Sequence, residues 1–149
     1  MLRDVMLVLH IAFVACWFGT TVTQIVLTPW MAQRGTDTMV SWVEATRLLG
    51  KRYYGPIGAM VAVTGVVLVT ETLYDFSSGF VIVGLVAVAL GAAMGVVVFE
   101  PFMAKHVDAL QRGDGGAVKK WRSNTMIAAV VDVVLLLVTI LAMVTRWHA

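Results

Sequence analysis

Apolar residues run along this chain in four long stretches, at 5–27, 57–69, 80–99 and 126–144, with short polar segments between them. A bilayer-spanning helix needs about 20 mostly apolar residues. The second stretch is short as it stands, but Tyr53, Tyr54, Gly55 and Pro56 before it and residues 70–73 after it extend it to that length. The pattern predicts four transmembrane helices in one domain covering 1–149. The expected fold is an all-α membrane protein, a four-transmembrane-helix bundle with almost nothing left for a soluble module.

Within each predicted span, polar or small residues recur seven positions apart. They are His10, Trp17 and Gln24 in the first, Gly58, Gly65 and Thr72 in the second, Ser77, Gly84 and Gly91 in the third, and Thr125, Asp132, Thr139 and Arg146 in the fourth. A seven-residue spacing marks the seam of a left-handed bundle. In lipid such seams are made of small and polar residues, because close packing and interhelical hydrogen bonds drive association there. Gly91 and Gly95 add a small-xxx-small contact that suits the internal bundle or a homo-oligomer.

The polar segments also carry a pattern. Met39, Trp42, Val43, Thr46 and Leu49 share one helical face, which predicts a short amphipathic helix in the first basic loop. It lies on the inner leaflet or packs across the bundle end. Thr28-Pro29-Trp30-Met31-Ala32-Gln33 closes the first span, and Glu100-Pro101-Phe102-Met103-Ala104-Lys105 closes the third. At the same offset Gly19 matches Gly91 and Arg47 matches Lys119. This predicts two repeated helical hairpins of equal orientation.

Composition agrees with a membrane protein: 60% of residues are hydrophobic and 13% charged, against a soluble norm of about half and a quarter. Charge then sets orientation. Of the 11 Lys and Arg, Arg34, Arg47, Lys51 and Arg52 lie between spans one and two. Lys105, Arg112, Lys119, Lys120 and Arg122 lie between spans three and four. The positive-inside rule puts both loops in the cytoplasm and both termini outside, in a bacterial inner membrane. Trp30 and Trp121 fall at the inner interface and Trp147 at the outer one. The net charge of +2 reports topology, and no nucleic-acid partner is expected. The N-terminal run continues past Cys16, so it reads as a retained span and not a cleaved signal. Cys16 is the single cysteine, which leaves no intrachain disulfide and reads as a packing residue.

Candidate chemistry centres on Asp132, a carboxyl deep in an apolar run that holds no basic residue. Such a group faces a bundle interior or a water-filled path. Counting rise along the helices brings Thr20, Thr21 and Gln24 to its level as hydrogen-bond partners, with Thr64 close by. A structural role for Asp132 and a proton, cation or ligand role both stay open. His10 lies in the outer half of span one, bonded across the bundle or serving as a haem or metal ligand. His148 is at the outer surface and His106 at the inner end, so neither offers it a matching second ligand. Glu71 and Asp75 read as solvated loop acids, and Glu100 as an interface acid paired with Lys105 or Arg122.

The stretch from Leu9 to Gly19 with Pro29 and Trp30 resembles the first helix of a bacterial family of predicted four-helix integral membrane proteins, the domain of unknown function 2269. The spacing of His10 and Trp17 also resembles the membrane protoporphyrinogen oxidase and copper-resistance D families. Resemblance to the oxidase implies haem b and a role for the early histidine, here His10. That family's later lysine has no counterpart inside the third or fourth span. The leading expectation is a non-enzymatic membrane protein without a cofactor. It handles a small ligand or ion along the polar seam, with Asp132, Gln24, Thr20, Thr21 and His10 as binding residues, or serves as an accessory subunit. Its partners are the lipid bilayer and a homo-oligomer or larger membrane complex. The alternative is a haem-dependent membrane oxidoreductase.

Overall fold

Each apolar run is the middle of a helix longer than the run itself. The computed structural model describes residues 1–146, so Trp147 and His148 lie outside the described residues. The helices are α1 (Leu2–Ala32), α2 (Thr36–Leu49), α3 (Gly55–Thr70), α4 (Gly79–Met94), α5 (Glu100–Gln111) and α6 (Gly115–Thr145). No strand occurs among the described residues. Four continuous helical rods, Leu2–Ala32, Thr36–Thr70, Gly79–Gln111 and Gly115–Thr145, are long and apolar enough to cross a membrane.

Two of the rods are joined through a π turn. Residues Gly50–Tyr54 link α2 to α3, and Gly95–Phe99 link α4 to α5. In both cases a proline follows at the second position of the next helix, Pro56 or Pro101. Proline has no N–H for the carbonyl four residues back, and its ring crowds that carbonyl. Widening the preceding turn to π geometry relieves the conflict without ending the rod. Pro29 sits inside α1 close to its end with no such turn. The sequence match pairs Pro29 with Pro101, whereas local geometry pairs Pro56 with Pro101.

The rods form a ring in which α1 neighbours α3 and α6, and α4 neighbours the same two. The two tight connections at one end turn through Gly35 at φ 105° and Gly113 at φ 67°, left-handed values that glycine adopts without strain. Asp114 then caps α6 by accepting from the Ala117 N–H at 3.0 Å. This end, which holds the nine cations of the two loops, is called the basic end below. At that end α2 packs on α1 and α5, not as a separate surface helix. Met39 and Val43 form a core with Met103, Val107 and Leu110. Glu100 pairs with Arg47 at 2.6 Å and Lys51 at 3.4 Å, so the expected partners Lys105 and Arg122 are replaced. Lys105 instead lies over the Trp121 ring, 4.7 Å from its centroid.

Candidate functional site: a carboxyl plug between two cavities

Members of all four seven-residue lines meet inside the ring, level by level, but Ser77 lies in the exposed connection before α4 and not in the third span. At the middle level Trp17 of α1 extends its indole across the bundle. A Cβ on Gly58 of α3 would lie 3.4 Å from the ring, and one on Gly91 of α4 would lie 2.6 Å from it. Both glycines therefore form the slot that the indole fills. Gly91 is an internal packing residue, while nothing lies within 4 Å of a Cβ on Gly95. Within the bundle, the contact therefore takes in Gly91 alone.

The indole ends on the carboxyl. Trp17 Nε1 donates to Asp132 Oδ2 at 3.2 Å, and Thr21 Oγ1 approaches the same oxygen at 3.3 Å. Tyr54, in the first π turn, places its hydroxyl 3.2 Å from Thr21 Oγ1 and its ring edge-on to Trp17, with centroids 6.4 Å apart. Asp132 is only 4% exposed. No Lys, Arg or His of the described residues pairs with it. Neutral donors from α1 thus carry the desolvated group, as buried polar atoms in a membrane require.

One level toward the chain termini sits His10, 8% exposed. Its Nδ1 lies 2.9 Å from Thr64 Oγ1. The Thr64 hydroxyl has a single proton, and the Met60 carbonyl at 2.6 Å takes it. The tautomer that matches this arrangement has Nδ1–H donating to Thr64, with the lone pair on Nε2. Gly65 makes room for the ring, since a Cβ there would stand 3.3 Å from Cε1.

His10 and Trp17 form part of the wall of a partly open cavity of about 290 Å³. Its body is apolar, with Val61, Val81, Ala87 and Leu136 buried along it. Thr139 and Thr72 add hydroxyls, and Arg3, Arg146 and Tyr74 stand at the end near the termini. Arg146 lies over the Tyr74 ring, 5.9 Å from its centroid. A second, smaller pocket of about 40 Å³ opens among α1, α2, α5 and α6 at the basic end. Gln24, His106, Arg122 and Thr125 line it together with apolar side chains. Gln24 Nε2 and His106 Nε2 are both buried without a hydrogen-bond partner, and His106 is 2% exposed.

The structure brings together some of the expected residues and separates others. Thr21 reaches Asp132, but Thr20 turns away and donates to Tyr53 Oη at 3.1 Å. Gln24 lies in the smaller pocket, and Thr64 belongs to His10. Glu71 and Asp75 are exposed and outside both cavities. Trp17 and Tyr54 are site residues that the apolar pattern did not single out as ligands of the carboxyl. Among the described residues no group of three or more His, Cys, Asp or Glu converges to hold a metal ion. No protein-family model, curated protein or solved structure matches this chain.

Proposed function

We propose that this chain is a non-enzymatic, multi-pass membrane protein that holds a small amphiphile in its larger cavity. The apolar body of the ligand packs among the side chains of α1, α3, α4 and α6. Its anionic head, a carboxylate, lies toward Arg3 and Arg146. The observation that carries this reading is the cavity itself: about 290 Å³ of space with an apolar wall and two guanidinium groups at one end. Binding sites for small molecules have this build, mostly apolar with few placed polar groups. Guanidinium suits a carboxylate because it offers paired donors in one plane. In this reading the basic end faces the cytoplasm and both termini face outward, following the positive-inside rule.

Native mass spectrometry of the protein titrated with palmitate tests the reading. The wild type carries a palmitate adduct, and Ala62→Phe, which fills the cavity wall, loses it. An adduct of equal abundance in Ala62→Phe rejects the cavity as the site.

A second reading rests on His10. With Nδ1–H donating to Thr64, its Nε2 lone pair is available to a ligand, the arrangement that ligating histidines adopt. For haem b, His10 would hold the iron, and Arg3 and Arg146 would pair with the haem carboxylates. No second histidine lines the cavity among the described residues, so the fit is that of a single-histidine site. Bound haem would supply electron transfer there. Wild-type protein expressed with ample haem then shows a Soret band that His10→Ala loses; a wild type without the band ends this reading.

A further inference from the structure

The two cavities end one helical turn to either side of Asp132. On α6, Ala129 and Thr125 line the smaller pocket, whereas Leu136 and Thr139 line the larger cavity. On α1, Gln24 belongs to the pocket and Trp17 to the cavity, with Thr21 between them. Asp132 lines neither. The carboxyl, its two partners Trp17 and Thr21, and Tyr54 behind Thr21 thus lie between a pocket nearer the basic end of the bundle and a cavity nearer the other.

The pocket asks for an occupant. Gln24 and His106 line it, and the Nε2 atom of each is buried with no hydrogen-bond partner. A buried polar atom left unpaired costs about 1–3 kcal/mol, so such sites are filled by water when there is room. One water needs roughly 10–15 Å³ of space for its centre, and the pocket offers about 40 Å³. It therefore has room for more than one water molecule beside Gln24, His106 and Arg122.

We propose that Asp132 is the exchange point of a proton path through the bundle, with the Gln24–His106 pocket as its water-filled arm at the basic end. A hydronium in the pocket breaks one of its O–H bonds and becomes water, and its proton passes one helical turn to the carboxylate, forming a new O–H bond. Release breaks that bond and passes the proton to water in the larger cavity, restoring the carboxylate. No electron moves, and the driving force is the proton gradient. Trp17 is the barrier, because its indole occupies the level where the two spaces would join. The titratable group facing Asp132 is the Tyr54 phenol, through Thr21. Beyond it lie His106 and Arg122 on the pocket side and His10, Arg3 and Arg146 on the cavity side.

The test is proton flux into proteoliposomes that hold a pH-sensitive dye, driven by a potassium diffusion potential. Wild type acidifies the lumen faster than protein-free vesicles do. Asp132→Asn falls to the protein-free rate, Asp132→Glu recovers flux, and Gln24→Leu loses part of it. Thermal unfolding in detergent confirms that each variant is folded. Wild-type flux at the protein-free rate, or Asp132→Asn flux equal to wild type, overturns the proposal; unchanged flux in Gln24→Leu removes the pocket from the path. The palmitate adduct separates the two ideas: Asp132→Asn keeps the adduct while losing flux.

Discussion

At the scale of single residues, Trp17 decides how the middle of the bundle is built. Its ring needs space on two helices and its N–H needs an acceptor on a third, and Gly58, Gly91 and Asp132 supply these. The two glycines are not equivalent. A Cβ at Gly91 would meet the ring at 2.6 Å, inside any real contact, while at Gly58 the distance is 3.4 Å. Overpacking of this kind costs about 1–3 kcal/mol. Gly91→Ala therefore lowers the thermal midpoint in detergent and Gly58→Ala barely changes it; equal midpoints would remove Gly91 from the slot. Asp132 stands out in the sequence because a carboxyl in an apolar run is costly unless neighbouring groups satisfy it. Trp17 falls on the seam line of the first span, but its bond to the carboxyl is not legible there, because its acceptor lies 115 positions away. Thr20 and Thr21 differ by one position, about 100° around a helix. Spacing alone could not say which of them faces the carboxyl.

At the scale of elements, the π turns matter most. The prolines that follow them were visible in the sequence, and so was the amphipathic helix at 36–49. What spacing did not reveal is that this helix runs on into the second span, and the third span into α5, so that two rods are single continuous pieces. A wide turn ahead of a proline depends on how the rod is held at both sides, which local sequence does not record. Beside the turns, Arg47 and Lys51 of one rod close on Glu100 of the other, tying α2 to the start of α5. The Arg47 and Glu100 side chains are 30% and 34% exposed, so solvent screens the pair, which is worth about 1 kcal/mol or less. Arg47→Gln is expected to shift the unfolding midpoint slightly at low salt and not at all near 1 M salt, where screening acts within about 3 Å. A shift that persists in high salt would mean that Arg47 works through packing.

At the scale of the molecule, the proposed seat of the bundle in a bilayer rests on rod length and charge. The rods hold 31, 35, 33 and 31 residues, or about 46–52 Å at a rise of 1.5 Å per residue. A hydrocarbon core is about 30 Å thick, so each rod has length to spare. The surplus lies at the basic end, where α2, α5 and the start of α6 form their own packed core. The charge asymmetry was fully legible in sequence, and the protruding core was not, since it depends on contacts between segments far apart in the chain. In the proposed orientation the basic end is in the cytoplasm, and residues 71–78 lie outside with the Arg3 and Arg146 mouth. Cys16, the single cysteine, is exchanged for serine, and one new cysteine is placed at exposed Asp75 or exposed Gln111. A membrane-impermeant maleimide added to intact cells is expected to label Asp75→Cys at once and Gln111→Cys only after lysis. The opposite order would turn the molecule over, so that the amphiphile cavity opens to the cytoplasm and the Gln24–His106 pocket faces the exterior.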